Sequence, residues 1–240
     1  LGDYSAEQGA LRVDARPDGL ALLTQSRCRL TIVDVSDPGG PAEVACVTLP
    51  NSAAAVDVTS NDDRAFVLDN RANLYAVELT GSRRFSVSGY LAVASQGAAV
   101  AVAGDRPYVA TGPFGARIVD AQTPSGMRRL GTFRPPAAFV DAVVDGSLTY
   151  VAGYFSGLHV LDTGDPNAIR QRGEVALGSG VSRLVKIGNH VWVSSRTTAS
   201  GGGPATNRLR VADVSDPDHP REVTTVDRPA RWLLEPRHAT

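Results

Sequence analysis

Apolar and polar residues alternate along this chain in short runs, and the runs recur. Leu30-Thr-Ile-Val-Asp34 returns as Leu74-Tyr-Ala-Val-Glu78, Ala116-Arg-Ile-Val-Asp120, Leu158-His-Val-Leu-Asp162 and Leu209-Arg-Val-Ala-Asp213, at intervals of 44, 42, 42 and 51 residues. Alternation with period two, rich in Val, Ile and Leu, predicts a strand with two unlike faces. Ser-Asp-Pro follows the first copy at residues 36–38 and the last at 215–217, and Gly164-Asp165-Pro166 follows the fourth. Asp before Pro stops regular structure, and Pro fixes φ for a tight turn.

Two further apolar runs precede each copy and one follows it. The runs nearest upstream are Leu20–Thr24, Ala65–Leu68, Pro107–Ala110, Leu148–Ala152 and His190–Ser194. Those before them are Leu11–Ala15, Ala55–Thr59, Ala99–Ala103, Val140–Val144 and Arg183–Ile187. Asn61-Asp62-Asp63, Gly104-Asp105, Asp145-Gly146 and Gly188-Asn189 join the two sets as hairpin turns. The trailing runs are Glu43–Thr48, Phe85–Tyr90, Arg128–Phe133, Gln171–Val175 and Arg221–Val226. Each unit reads as four short antiparallel strands, and no stretch carries sustained helical periodicity. Four strands in roughly 40 to 50 residues is the signature of a β-propeller blade. The expectation is an all-β propeller of four-stranded antiparallel blades, one domain over residues 1–240, with units at about 10–50, 51–94, 95–136, 137–178 and 179–228. Five blades are visible. Six result if the termini share an incomplete one, because Leu1-Gly2-Asp3-Tyr4 repeats Leu130-Gly131-Thr132-Phe133, and Trp232-Leu233-Leu234 stands where a further first strand would begin.

The unit from Asp141 to Asp162 with Asp165-Pro166 resembles the LVIVD-repeat family of β-propellers. The resemblance extends over all five units and weakens at the second, where Glu78 replaces Asp and Thr80-Gly81 replaces Ser-Asp-Pro. It implies a bacterial or archaeal secreted or surface propeller, usually without an assigned enzymatic activity.

Composition adds exclusions. A net charge of -1 provides no broad positive field for nucleic acid. No apolar run approaches the roughly 20 residues of a membrane helix, so any membrane association would go through a partner. The chain begins at Leu1, which fits either a processed protein or a fragment. Cys28 and Cys46 flank the turn at residues 36–41. Folding that hairpin symmetrically about Asp37 would set them opposite one another as a disulfide, or they are two buried thiols. A disulfide would indicate an oxidising compartment, hence a secreted, periplasmic or cell-surface protein.

Chemistry is sparse. No pair of histidines has zinc spacing, no Gly-x-Ser-x-Gly elbow occurs, and no cofactor or metal is called for. The acids closing the motifs are too far apart to share an ion and read as turn carboxylates. Function on a rigid scaffold belongs to loops. The connections between second and third strands therefore supply the partner-binding candidates Arg71, Phe114, Tyr154, Phe155 and Arg196, the last opening the glycine-rich insertion that lengthens unit five. Asp57 and Asp141 occupy one position in first strands, with Arg183 at the same position in unit five, and form a polar set for the channel. The reading is a non-enzymatic binding or scaffold propeller presenting a loop-rich face to a protein or glycan, alone or within a cell-envelope assembly. The alternative is a propeller hydrolase or lyase with its polar site at the channel mouth.

Overall fold

The computed structural model describes residues 10–25, 30–50, 54–79, 85–134, 138–197 and 206–229. They form five antiparallel sheets of four strands, each in chain order. Sheet one holds β1 (Ala10–Ala15), β2 (Leu20–Gln25), β3 (Leu30–Asp34) and β4 (Ala42–Val47). Sheet two holds β5 (Ala55–Ser60), β6 (Arg64–Asp69), β7 (Asn73–Glu78) and β8 (Ser86–Ala92). Sheet three holds β9 (Ala99–Ala103), β10 (Arg106–Ala110), β11 (Ala116–Asp120) and β12 (Arg128–Phe133). Sheet four holds β13 (Phe139–Asp145), β14 (Leu148–Gly153), β15 (Gly157–Asp162) and β16 (Arg170–Val175). Sheet five holds β17 (Val181–Ile187), β18 (His190–Thr197), β19 (Thr206–Asp213) and β20 (Arg221–Pro229). Among the described residues the one helical element is a single 3-10 turn at Pro124–Gly126.

The first strands lie side by side in chain order, β1 by β5, β5 by β9, β9 by β13 and β13 by β17. The sheets extend outward from them as blades, so the fold is propeller-like, as the four-strand period implies. Each of sheets one to four buries its forward face, the one toward the next sheet, against that neighbour's back face. Leu22, Leu30, Ile32 and Val47 of sheet one meet Val58, Val67, Tyr75 and Val77 of sheet two. Phe66, Leu68 and Leu74 meet Val100, Val109 and Val119. Ala99 and Ala110 meet Phe139, Val151 and Leu161, and Tyr150, Leu158 and Val160 meet Val181, Leu184, Val191 and Val193. Alternation supplies both faces from one strand, which is why motif strands such as Leu74–Val77 are buried on both sides.

The motif strand is paired to its outer neighbour with a bulge at one repeated place: between Ile32 and Val33, Ala76 and Val77, Ile118 and Val119, Val160 and Leu161, and Val211 and Ala212. A bulge puts one unpaired residue into a strand and increases its twist. It also corrects the symmetric hairpin expected around the cysteines. Cys46 stands opposite Thr31, not opposite residue 28. Cys46 is disulfide-bonded, and Cys28 lies outside the described residues.

The motif proline does more than end a strand. A Cβ built on Gly89 would come within 2.0 Å of the Pro124 carbonyl oxygen. One on Gly131 would come within 2.0 Å of that of Pro166, and one on Gly173 within 2.5 Å of that of Pro217. The Pro turns of sheets three, four and five thus rest on the outer strand of the sheet before, at a residue that must lack a side chain. Gly131→Val is expected to cost about 2–4 kcal/mol through this backbone clash, read as a lowered urea midpoint at unchanged m-value. The same substitution at Gly104 would instead report the strain of a β-branched residue at φ +55°, with nothing within 4 Å to clash.

Candidate functional site

The connections between second and third strands share one rim. Each described one is hydrogen-bonded to the chain entering the next sheet: Gly97 N donates to Asn70 O, Gly112 N to Phe139 O, and Gly180 N to Tyr154 O at 2.8 Å. These turns are held at both ends rather than waving. In sheet two the holding is strongest. Asp69, fully buried, accepts bonds from the backbone N–H groups of Arg71 and Asn73, from the Asn73 amide and from the Tyr75 hydroxyl. That network fixes Ala72 at φ 56°, a left-handed conformation uncommon for a residue with a Cβ.

On this rim the expected contact residues are exposed. Phe155 is 73% and Tyr154 42% accessible, and their rings meet edge to face at 4.6 Å between centroids. Phe114 is 41% accessible, and Arg71 and Arg196 are also exposed. Tyr154 borders an open groove of about 550 Å³ whose other walls are Gly180, Ser182, Ser194–Arg196 and Asn207–Leu209. Residues 198–205 of the insertion lie outside the described residues. The structure brings Tyr154, Phe155 and Arg196 to one end of the rim, while Arg71 and Phe114 belong to sheets two and three.

Beside the aromatic pair stands a constellation that sequence reasoning passed over. Ser156 Oγ lies 2.6 Å from His159 Nε2, and His159 Nδ1 lies 3.3 Å from Glu174 Oε2 and 3.2 Å from Gln171 Oε1. Ser, His and a carboxylate in this order have the polarity of a proton relay. The same layer of sheet two holds Asp69, Asn73 and Tyr75 in the same role of tying turn to strand, and Glu174 is 60% exposed to water. A Cβ on Gly153 would come within 2.0 Å of the Ser156 hydroxyl, so the turn is built around this bond. The cluster reads as a turn clamp. The glycine two residues before Phe155 was its sequence signal, legible only with the hairpin register known.

The channel set is organised differently from a free ligand site. Asp57 Oδ2 accepts the Val100 N–H and Asp141 Oδ2 the Leu184 N–H, both at 2.8 Å. Each aspartate thus reaches from its own first strand to the first strand of the next sheet. Arg183 Nη1 lies 3.7 Å from Asp141, and Arg12 Nε lies 3.4 Å from Asp57. Arg12 is the member sequence reasoning missed; it holds the same position in β1. The register shifts just before this position in β1, β5, β13 and β17; β9 begins at it, with Ala99. Burial pushes the Asp57 carboxyl up to about 6 and that of Asp141 up to about 7, despite the bonds from Val100 and Leu184 that favour the charged form. These carboxylates are structural hydrogen-bond acceptors with one oxygen each facing a guanidinium.

The motif acids cap their turns. Asp34, Asp120, Asp162 and Asp213 each accept the backbone N–H two residues on, and Arg128, Arg170 and Arg221 pair with the last three. Among the described residues no group of three or more His, Cys, Asp or Glu is placed to hold a metal ion, and no helix is long and apolar enough to cross a membrane.

Comparison with known proteins follows the repeat. Residues 26–48 and 205–228 match the LVIVD repeat. The chain carries LVIVD repeats. Among solved structures, a functionally unknown protein from Desulfotomaculum acetoxidans DSM 771 is similar with a TM-score of 0.74 at 14% identity, over 94% of this chain and 72% of that one. The computationally designed Ika8 protein is similar with a TM-score of 0.63 at 9% identity, over 90% of this chain and 74% of that one. At such identities the likeness is one of fold. No curated protein matches the sequence. The LVIVD matches cover the first and last motif strands, where Ser-Asp-Pro is intact.

Stability should respond to the inner ring. A carboxyl raised in the folded state binds its proton more tightly there than in the unfolded chain, so stability is highest below the unfolded pKa and falls as pH rises through the folded one. The free energy of unfolding is expected to decline between about pH 4 and 7.5, by at least about 2 kcal/mol, since each tenfold difference in proton affinity between the two states is worth roughly 1.4 kcal/mol. Urea titrations across that range on the parent and on Asp141→Asn check this; the variant should show a shallower slope.

Proposed function

We propose that this LVIVD-repeat chain is a non-enzymatic binding scaffold that presents its loop-bearing rim to a protein or glycan partner outside the cytoplasm. The observation that carries the reading is the exposed Tyr154–Phe155 pair on a turn pinned to the next sheet. Aromatic side chains present large contact area at low entropic cost, and a pinned turn has already lost its freedom before binding. The adjoining groove, with Arg196 at its lip, gives the pair a concave neighbour suited to a sugar ring or an extended peptide. The disulfide state of Cys46 supports an oxidising location. Nothing in the surface charge favours nucleic acid.

Screening the purified chain against an oligosaccharide array and against purified envelope proteins of its source tests the reading. Tyr154→Ala with Phe155→Ala should weaken any hit at least about tenfold, the size expected of anchor residues, with the thermal midpoint within a few degrees of the parent. Binding untouched by this double change would move the partner surface elsewhere. Unreduced peptide mapping of secreted material should find Cys28 and Cys46 linked, and two free thiols would remove the support for an extracytoplasmic site.

A further inference from the structure

The second residue of the motif strand is polar in every unit: Thr31, Tyr75, Arg117, His159 and Arg210. In three of the units a carboxylate stands beside it. Tyr75 donates to Asp69, His159 Nδ1 lies 3.3 Å from Glu174 Oε2, and Arg210 Nη1 lies 2.9 Å from Glu222 Oε1. Arg117 is different. Its guanidinium makes no ion pair and no hydrogen bond among the described residues, and its Nε is buried without an acceptor. Arg210 also buries an unbonded Nε, but there Glu222 answers the charge at Nη1.

Register accounts for the difference. Glu222 pairs with Ala212, and the residue in the same place of sheet three, paired with Val119, is Arg129. The repeat thus sets a second guanidinium where sheet five sets the neutralising acid. Val119 packs against sheet two, so Arg117, two residues before it, belongs to the same back face. Arg129 and Thr132 share that face as the partners of Val119 and Arg117, and Arg134 follows one residue past the strand. After burial, the charges that make the Arg117 guanidinium less basic than usual are those of Arg129 and Arg134, so the three arginines stand close together. Arg129 and Arg134 are exposed. The acids nearest in sequence are engaged elsewhere, Asp120 with Arg128 and Asp105 with Arg64. Residues 79–104 and 121–140 contain no Asp or Glu. Like charges on one face repel, and in a chain of net charge -1 an unneutralised trio marks a place for an anion.

We propose that Arg117, Arg129 and Arg134, on the outer part of the back face of sheet three, form a second binding site, which takes an acidic polysaccharide by its carboxylate or sulfate groups. The site stands apart from the Tyr154–Phe155 turn of sheet four and does not rest on that turn's role. Arg129 and Arg134 are about 15 Å apart along the outer strand at roughly 3.3 Å per residue, farther than one small anion can bridge. An extended chain with repeated charges fits the row. Guanidinium forks suit planar carboxylates and sulfates, and the exposed Thr132 hydroxyl between them suits a sugar hydroxyl. A nucleic-acid backbone calls for a broad positive field that this chain lacks.

Titration calorimetry of the full chain with polygalacturonate, dextran sulfate and neutral dextran tests this. At least one acidic polymer should bind, more weakly as salt rises, and neutral dextran should not; which of the two binds distinguishes carboxylate from sulfate. Arg129→Glu gives Arg117 the kind of acid that Arg210 has in Glu222. It should weaken binding at least about tenfold while the thermal midpoint holds or rises, whereas Tyr154→Ala with Phe155→Ala should leave this binding unchanged. If Arg129→Glu lowers the midpoint, Arg134→Ser, past the end of the strand, decides the matter and should also weaken binding. The proposal is overturned if neither acidic polymer binds, if neutral dextran binds equally, or if the arginine variants bind as the parent does. Tighter binding of duplex DNA or of phosphatidylglycerol vesicles than of either acidic polymer would give the face to another class of partner and overturn it as well.

Discussion

Everything in this structure depends on the burial of one sheet's forward face against the next sheet's back face. A four-stranded sheet of short strands has too little core to stand alone, and its apolar positions are placed so that no sheet is complete without a neighbour. Phe66 and Leu74 are interior residues only because Val100 and Val119 lie over them. The polar features obey the same constraint. Asp57 and Asp141 give their buried oxygens to the next first strand, and the motif prolines place their carbonyls on the preceding outer strand. Hydrophobic contact, buried carboxylate and turn therefore stitch the same joint at three radii.

That arrangement explains why the rim is suited to recognition. The turns bearing Phe114 and Tyr154 are bonded to the segments leading into the following sheet, so their positions are set by inter-sheet packing rather than by local turn preference. Side chains there vary freely between units, with Arg71, Phe114 and the Tyr154–Phe155 pair at corresponding turns, because none of them is needed to build the joint.

The strands were legible in the sequence because period-two alternation and the turn residues are local signals, and the Leu30-to-Asp34 pattern repeats with little change. The roles of Asp34, Asp120, Asp162 and Asp213 were legible for the same reason, since a carboxylate accepting the N–H two residues on is a local contact. What could not be read was anything set by register. Cys46 faces Thr31 because a bulge at Ile32/Val33 displaces the pairing, and bulges leave no mark in an alternating run. Ser156 and His159 looked unrelated for want of the hairpin geometry that closes them to 2.6 Å. Arg12 escaped notice because its strand is the least repeat-like of the five, although it completes the ring with Asp57, Asp141 and Arg183.

The seat formed by Gly89, Gly131 and Gly173 has a consequence for how such a chain changes over generations. Each of these glycines precedes a unit whose turn carries proline, at 124, 166 and 217. Ala45, in the corresponding place of β4, precedes the one unit that lacks the turn proline, with Ser82 in its place. A unit is therefore matched to its successor, not merely to the common plan. Unit three transplanted behind unit one would drive its turn against the Ala45 side chain, and unit two behind unit three would leave the Gly131 seat without its proline. Repeats that look interchangeable as text have become a fixed series, in which duplication or reshuffling by recombination carries a packing defect at every new junction.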